Sequence, residues 1–485
     1  MKLKKILDGI NYKLIKGNLD IDIEDITYDS RTVKKNYAFV ALIGIDTDGH
    51  KYVEDAIKNG ASCLIVCKDI QIENDVTVIK INDTRTELSY LSANFFENPQ
   101  DKLVKIGITG TKGKTSVSWM IKKILEENGE KVGVIGTIGT YIDNKLYSHK
   151  NTTPESYQIQ KFMRIMVDNG VKYLIMEASS HALKVGRINN ILFDYAIFTN
   201  LSIDHVGPRE HSTFQEYIES KALLFKQTKI GILNYDDDKF NEIIKNATCK
   251  VYTYGTNNKS DLYISDINLI NEKDFLGVEF KLNGNYNDIY RVSAPGKFSS
   301  YNACSAIFLC KLLKINDDII KKGLIKFHVK GRCEIININN KFKIVIDFAH
   351  NKISMESIIK TMKSYNCNRI ITVFGCGGGR SFERRYELGE ISGMYADLSI
   401  ITTDNPRNDN VDEIISDLKK GVEDQNGEFV IIKDRKEAIE YAMKNASYND
   451  IILLLGKGHE KYQEIKGVRY PFDEKKIIDD YIKYI

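Results

Sequence analysis

Proline is scarce in this chain, with six in 485 residues. No proline-rich linker therefore marks where one domain ends and the next begins. Cysteine occurs eight times, at 63, 67, 249, 304, 310, 333, 367 and 376, and never as C-x-x-C. That scatter excludes a disulfide framework or a spaced zinc site and fits reduced thiols. No apolar run approaches the ~20 residues that span a bilayer. Internal repeats and low-complexity tracts are missing as well. Neither sign of charge dominates: 69 Lys+Arg stand against 66 Asp+Glu, a formal net charge of +3. Nucleic acid or an anionic membrane is therefore not expected as the main partner. The basic start, Met1-Lys-Leu-Lys-Lys-Ile-Leu-Asp8, lacks a continuous apolar segment, so no secretion signal is expected. The reading is a soluble, cytoplasmic protein.

What the chain does contain is enough apolar residue for several cores. Hydrophobic residues make up 42% and charged residues 28%, and the length suggests about three domains. Short apolar runs alternate with amphipathic segments, which predicts β-α units around mostly parallel sheets. The strands expected first are Tyr37–Leu42 and Cys63–Val66, in a small block ending near Pro99. A second block has Leu103–Ile108, Val132–Ile135, Tyr173–Met176, Tyr195–Phe198 and Gly231–Leu233. A third starts near Gly331-Arg332, with Phe342–Ile346, Ile370–Phe374, Leu398–Ile401, Phe429–Ile432 and Ile451–Leu455. In the last two blocks polar residues cluster just after strand ends, where open α/β sheets bind ligands.

The strongest of these clusters is Ile106-Gly-Ile-Thr-Gly-Thr-Lys-Gly-Lys-Thr-Ser116. An apolar strand runs into a glycine turn and then a helix-compatible segment. Such a turn points backbone N–H groups and a helix N-terminus at phosphate, with Lys114 for the outer phosphates and the Thr115 hydroxyl for Mg²⁺. A strict P-loop has glycine five residues before Gly113, where this chain has Ile108.

The other candidates are individually weaker. Glu177, at a strand end, can reach Mg²⁺ or simply cap the next helix, and Ser179 and Ser180 suit caps equally well. His205 is a metal or phosphate ligand or a structural histidine. Lys221 reads as an ordinary helix lysine. Asn151-Thr-Thr-Pro-Glu155 offers hydroxyls and an amide, or is a plain turn. In the third block Gly375-Cys-Gly-Gly-Gly-Arg380, Thr403-Asp-Asn-Pro-Arg407 and Gly456-Lys-Gly-His-Glu460 each follow a strand. Arginines that clamp carboxylates beside carboxylates that bind ammonium suit a zwitterionic amino acid.

Taken in order, these motifs resemble the Mur ligase family. The resemblance runs almost end to end, through Asp29-Ser-Arg31, Asp48-Gly-His50, Thr109–Ser116, Asn151-Thr-Thr153, Glu177–Leu183 with Arg187, Thr199–His205, Lys221, Gly296-Lys-Phe298 with Asn302, Gly331-Arg-Cys-Glu334, Asp347-Phe-Ala-His350, Gly375–Arg380, Asp404–Arg407 and Gly456–Glu460. It implies three α/β domains: a UDP-substrate domain over 1–101, a central P-loop ATPase domain with a mostly parallel sheet over 102–329, and a Rossmann-like amino-acid domain over 330–485. The implied reaction is ATP-dependent addition of meso-2,6-diaminopimelate to UDP-N-acetylmuramoyl-L-alanyl-D-glutamate through an acyl phosphate, with Mg²⁺, by a cytoplasmic monomer. Catalytic roles are implied for Lys114, His205 and Lys221. ATP contacts are implied for Gly110, Thr111, Lys112, Gly113, Lys114, Thr115, Ser116, Asn302, Arg332, Asp347 and His350. Metal ligands would be Thr115, Glu177, His205 and a carbamylated Lys221. The UDP-substrate would meet Ser30, Asn151, Thr152, Thr153, Ser179 and Arg187. The amino acid would meet Arg380, Asp404, Asn405, Pro406, Arg407, Gly456 and Glu460.

This chain departs from the family pattern at Lys112, Val185, Lys352, Ile353, Gly379 and Ser381. An L-lysine-adding ligase, or a paralogue with another amino acid and acceptor, is the alternative within the same class. A non-catalytic nucleotide-binding protein is the alternative outside it.

Overall fold

In a computed structural model, all residues are described except 45–46, 144, 204–206, 208–209 and 484–485. The chain forms two compact units. The first holds residues 1–264, 283–287 and 301–323, and the second holds 265–282, 288–300 and 324–485.

The first unit opens with a five-stranded sheet in the order Tyr12–Lys16, Thr77–Ile81, Ala61–Val66, Tyr37–Val40, Asp25–Thr27. All its pairings are parallel except the edge pair Tyr12–Lys16 with Thr77–Ile81. A larger sheet follows. Its parallel strands run Lys250–Gly255, Thr228–Asn234, Phe193–Phe198, Val104–Thr109, Tyr173–Glu177, Val132–Gly136. The antiparallel strands Gly139–Ile142 and Lys145–Tyr147 extend it past Val132–Gly136. Tyr173–Glu177 and Val132–Gly136 are buried along their whole lengths. Continuous apolar runs of this kind are what sheets covered on both faces require. Strand order reverses at Val104–Thr109, flanked by Tyr173–Glu177 on one side and Phe193–Phe198 on the other. The crevice of a doubly wound sheet lies at such a point. Here it falls at the glycine turn.

The second unit contains a six-stranded sheet in the order Glu334–Ile338, Phe342–Asp347, Ile451–Leu455, Ile370–Phe374, Leu398–Ile401, Phe429–Ile431. Only Glu334–Ile338 is antiparallel. Apolar clusters cover both faces, one around Met355, Leu388 and Leu418 and another around Ile439, Met443 and Ile478. The α/β expectation with mostly parallel sheets is met, and each anticipated strand forms. Several strands had no clear signal in the sequence: Tyr12–Lys16, Asp25–Thr27, the long pair Leu276–Gly284 with Asp288–Val292, and the hairpin Tyr462–Ile465 with Val468–Pro471. Among the described residues no helix is long and apolar enough to cross a membrane, and all eight cysteines are free.

Candidate active site

The strand Val104–Thr109 hands directly to a glycine turn, and the helix Lys114–Glu127 begins at Gly113. Gly110 (φ +146°) and Gly113 (φ +86°) adopt backbone conformations that side-chain-bearing residues rarely take. A Cβ on Gly110 would lie 2.0 Å from Thr199 Oγ1, and one on Gly113 would lie 2.5 Å from Asn302 Oδ1. Glycine is demanded twice over, by conformation and by space. The turn is tied to the neighbouring strand end: Thr111 N–H donates to the Asn200 carbonyl (2.8 Å), Lys112 N–H to Asn200 Oδ1 (3.0 Å) and Thr199 Oγ1 to the Lys112 carbonyl (2.6 Å). Lys114 Nζ curls back over the turn to the carbonyls of Gly110 (2.8 Å) and Thr111 (3.1 Å). Ser116 follows in the first helical turn.

Glu177 ends the adjacent strand and is completely buried. Its Oε2 accepts from Thr115 Oγ1 (3.0 Å) and Thr137 Oγ1 (2.8 Å), while Oε1 has no hydrogen-bond partner. Burial pushes its carboxyl pKa up, opposed by the Thr137 hydrogen bond, the Lys114 charge and the Thr115 hydrogen bond. A buried carboxylate oxygen without a partner, next to a threonine hydroxyl and a phosphate-type turn, fits a Mg²⁺ that takes its remaining ligands from phosphate and water. Among the described residues no three His, Cys, Asp or Glu side chains gather as a metal cluster. A magnesium held by one carboxylate, one hydroxyl and substrate oxygens needs none.

Lys221 corrects the impression of an ordinary helix lysine. It is only 2% exposed, donates to the Gly110 carbonyl (2.9 Å) and lies 4.5 Å from the Tyr217 ring centre. Tyr217 in turn reaches Thr111 Oγ1 through its hydroxyl (3.1 Å). The helix Phe214–Ala222 buries Tyr217, Ile218, Lys221 and Ala222 together. Residue type gave no sign of this burial, and only the family resemblance singled Lys221 out. His205, the other residue tied by resemblance to this corner, lies outside the described residues.

A cavity of about 350 Å³ opens beside the turn, and Lys114, Asn151, Thr152, Ser179, Arg187 and Lys221 are among the residues lining it. Thr153 lies beneath: its hydroxyl donates to the Glu177 carbonyl (2.7 Å) and accepts from Ser179 N–H (3.0 Å). His211 and His181 line the same space, and burial lowers the pKa of both imidazoles. Ser30 is not part of this lining. It is buried in the amino-terminal block, where its carbonyl accepts from Asn59 Nδ2 (2.9 Å).

The second unit has its own pocket, about 110 Å³, to which Arg380, Asp404, Asn405, Arg407, Gly456 and Glu460 all contribute. His350 and Arg384 line it too. Lys457, which sequence reasoning passed over, sits completely buried behind it. Its Nζ lies 3.0 Å from Asn405 Oδ1, 3.3 Å from Asp404 Oδ1 and 3.6 Å from Glu460 Oε2. Asn405 Nδ2 donates to Glu460 Oε2 (2.8 Å), so amide and carboxylate are presented as one piece. Arg407 has φ +52°, a left-handed backbone that costs a residue bearing a Cβ roughly 1–2 kcal/mol. Such strain is kept where it aims a group. Pro406 does not line the pocket; its carbonyl packs against Gly378, leaving no room for a Cβ there. Asp347 is occupied by backbone, accepting from Cys333 N–H (2.8 Å) and Ala349 N–H (2.8 Å). Arg332 stacks 5.1 Å from the Phe348 ring centre.

Doubly wound sheets, a P-loop-type turn backed by a buried carboxylate, and an arginine-carboxylate pocket define a nucleotide-handling α/β protein of the ligase type. Known proteins agree. Residues 22–102 match the Mur ligase family catalytic domain, 108–310 the Mur ligase middle domain, and 331–458 the Mur ligase glutamate ligase domain. The chain is 41% identical over 482 residues to the UDP-N-acetylmuramoyl-L-alanyl-D-glutamate–2,6-diaminopimelate ligase of Caldanaerobacter subterraneus subsp. tengcongensis, covering 99% of this chain and 98% of that one. It is 41% identical over 490 residues to the enzyme of the same name from Clostridium perfringens, covering 100% of both. A solved structure of a ligase with that name superposes with a TM-score of 0.76 at 29% identity, over 100% of this chain and 99% of the other. The chain belongs to the Mur ligase family.

Proposed function

We propose that this chain is an ATP-dependent ligase that joins meso-2,6-diaminopimelate to UDP-N-acetylmuramoyl-L-alanyl-D-glutamate in the cytoplasm, as a step of peptidoglycan precursor synthesis. The observation that carries the reading is the convergence of Lys114, Thr115, Glu177 and Lys221 on the turn at Gly110. Full-length likeness to ligases of that name supports the substrates. In the proposed division of labour, 1–101 holds the uridine nucleotide, 102–329 the ATP and 330–485 the amino acid. The acceptor carboxylate attacks the ATP γ-phosphorus, ADP leaves, and an acyl phosphate forms. The amine of the diamino acid then attacks the acyl carbon, inorganic phosphate departs, and the amine proton is released. Backbone N–H groups of 110–116 and Lys114 orient the triphosphate, with Asn302, Arg332, Asp347 and His350 as further ATP contacts. Thr115 and Glu177 hold one Mg²⁺, and His205 with carbamylated Lys221 a second; carbamylation replaces a repelling ammonium by an oxygen ligand. Magnesium, when bound, neutralises the triphosphate and the charge that develops during transfer. Ser30, Asn151, Thr152, Thr153, Ser179 and Arg187 hold the acceptor.

Specificity rests on Arg407, whose guanidinium pairs with the distal carboxylate that diaminopimelate has and lysine lacks. Phosphate release from ATP, measured with the UDP-muramoyl dipeptide plus either diamino acid, tests both claims. Turnover with meso-diaminopimelate and not with L-lysine is expected. Turnover with lysine alone overturns the specificity, and none with either overturns the reaction.

A further inference from the structure

The acceptor-side arginine is held by a carboxylate to which the reaction as described gives no part. Arg187 Nε donates to Glu155 Oε1 (2.9 Å), Nη2 lies 2.8 Å from the same oxygen, and Nη1 donates to the Thr153 carbonyl (3.0 Å). The backbone of Arg187 is pinned as well, because Ser156 Oγ donates to its carbonyl (2.9 Å). Every nitrogen of this guanidinium is thus set by the loop 153–156. These contacts take up three of its five N–H groups, and Arg187 also lines the cavity beside the glycine turn. Glu155 is itself clamped. Its second oxygen accepts from Arg85 Nη1 (2.6 Å), at the start of the helix Thr84–Phe95 in the amino-terminal block. Both partners are largely shielded from water, so the bonds are charge-assisted and weakly screened.

A guanidinium on a long, rotamer-rich side chain loses affinity for an anion if it must be ordered at each binding event. One carboxylate between two arginines removes that cost beforehand and leaves a local excess of positive charge. We propose that Glu155 is a positioning residue: it fixes Arg187 in the orientation that receives an anionic group of the acceptor, and Arg85 anchors Glu155 from the amino-terminal block. The proposal rests on the acceptor reading given above.

The test uses full-length enzyme and steady-state kinetics in all three substrates. E155Q keeps size and one acceptor but loses the charge, so KM for the UDP-muramoyl dipeptide should rise about tenfold or more. The KM values for ATP and the diamino acid, and kcat, should stay within about threefold, the pattern of lost ground-state positioning. Because Glu155 acts through Arg187, E155Q should add nothing to R187M in the double variant. R85M should give a smaller rise in acceptor KM. An unchanged acceptor KM in E155Q, an equal rise for all three substrates, or additive penalties in the double variant overturns the proposal. Calorimetric binding of the UDP-muramoyl dipeptide to wild type separates the two failures. If wild type does not bind it, the acceptor reading fails; if wild type binds it and E155Q binds it equally well, the positioning role fails.

Discussion

Glu177 sits where burial and charge oppose each other. A carboxylate with no exposure and one unpartnered oxygen is costly to keep ionised unless a cation arrives. Its folded pKa is raised, so the native state holds a proton at pH values where the unfolded chain, with a carboxyl near 4.3, has released it. In metal-free protein this side chain therefore lowers stability as pH climbs from about 4.3 through the raised value. Glu177→Gln should remove that slope, leave the melting temperature at neutral pH equal or higher, and raise the Mg²⁺ needed for half-maximal phosphate release about tenfold or more. Melting curves across pH, with magnesium titrations of the rate, check it. A variant that is less stable and equally active would contradict the assignment. Arg407 carries the complementary prediction. Arg407→Ala should raise KM for meso-diaminopimelate about tenfold or more while leaving KM for ATP in place; equal losses in both would show that the strained arginine is merely structural.

Among elements, the turn between Val104–Thr109 and Lys114–Glu127 has the least freedom. Gly113→Ala would force a left-handed residue and drive a methyl to 2.5 Å from Asn302 Oδ1. We expect KM for ATP to rise about tenfold or more, with folding stability reduced by about 1–2 kcal/mol, read by kinetics and by denaturant melts. An alanine variant with unaltered KM would mean that the turn does not cradle phosphate. This element was legible in the sequence because the strand, the glycines, the lysine and the threonine are contiguous. Glu177 was half legible, since its strand was plain but its pairing with Thr137 joins residues 40 apart. Lys221 and Lys457 were not legible from residue type, because a lysine usually marks a solvated face. Only tertiary packing buries one against the Gly110 carbonyl and the other against Asp404 and Asn405. The strands that escaped notice, such as Leu276–Gly284 and Asp288–Val292, alternate apolar with polar residues and lack the continuous apolar signal of the buried parallel strands.

For the whole molecule, each compact unit has apolar clusters of its own, with Met163, Phe193 and Phe225 in the first and Met355, Ile391 and Leu418 in the second. Unfolding should therefore not be all-or-none: calorimetry is expected to give a van't Hoff enthalpy below the calorimetric one. Equal enthalpies would show that the units melt as one. The chain passes between the units at 264/265, 282/283, 287/288, 300/301 and 323/324. Leu276 belongs to the apolar cluster of Val345 and Met355, and Tyr365 Oη bonds the Gly277 carbonyl and accepts from Gly296 N–H. A gene split at a single site near residue 329 would consequently strand 265–282 and 288–300 on the wrong fragment. Complementation between two separately made halves should fail there, whereas a nick at the exposed turn around Asn426 leaves Leu276, Gly277 and Gly296 in one piece with Val345, Met355 and Tyr365.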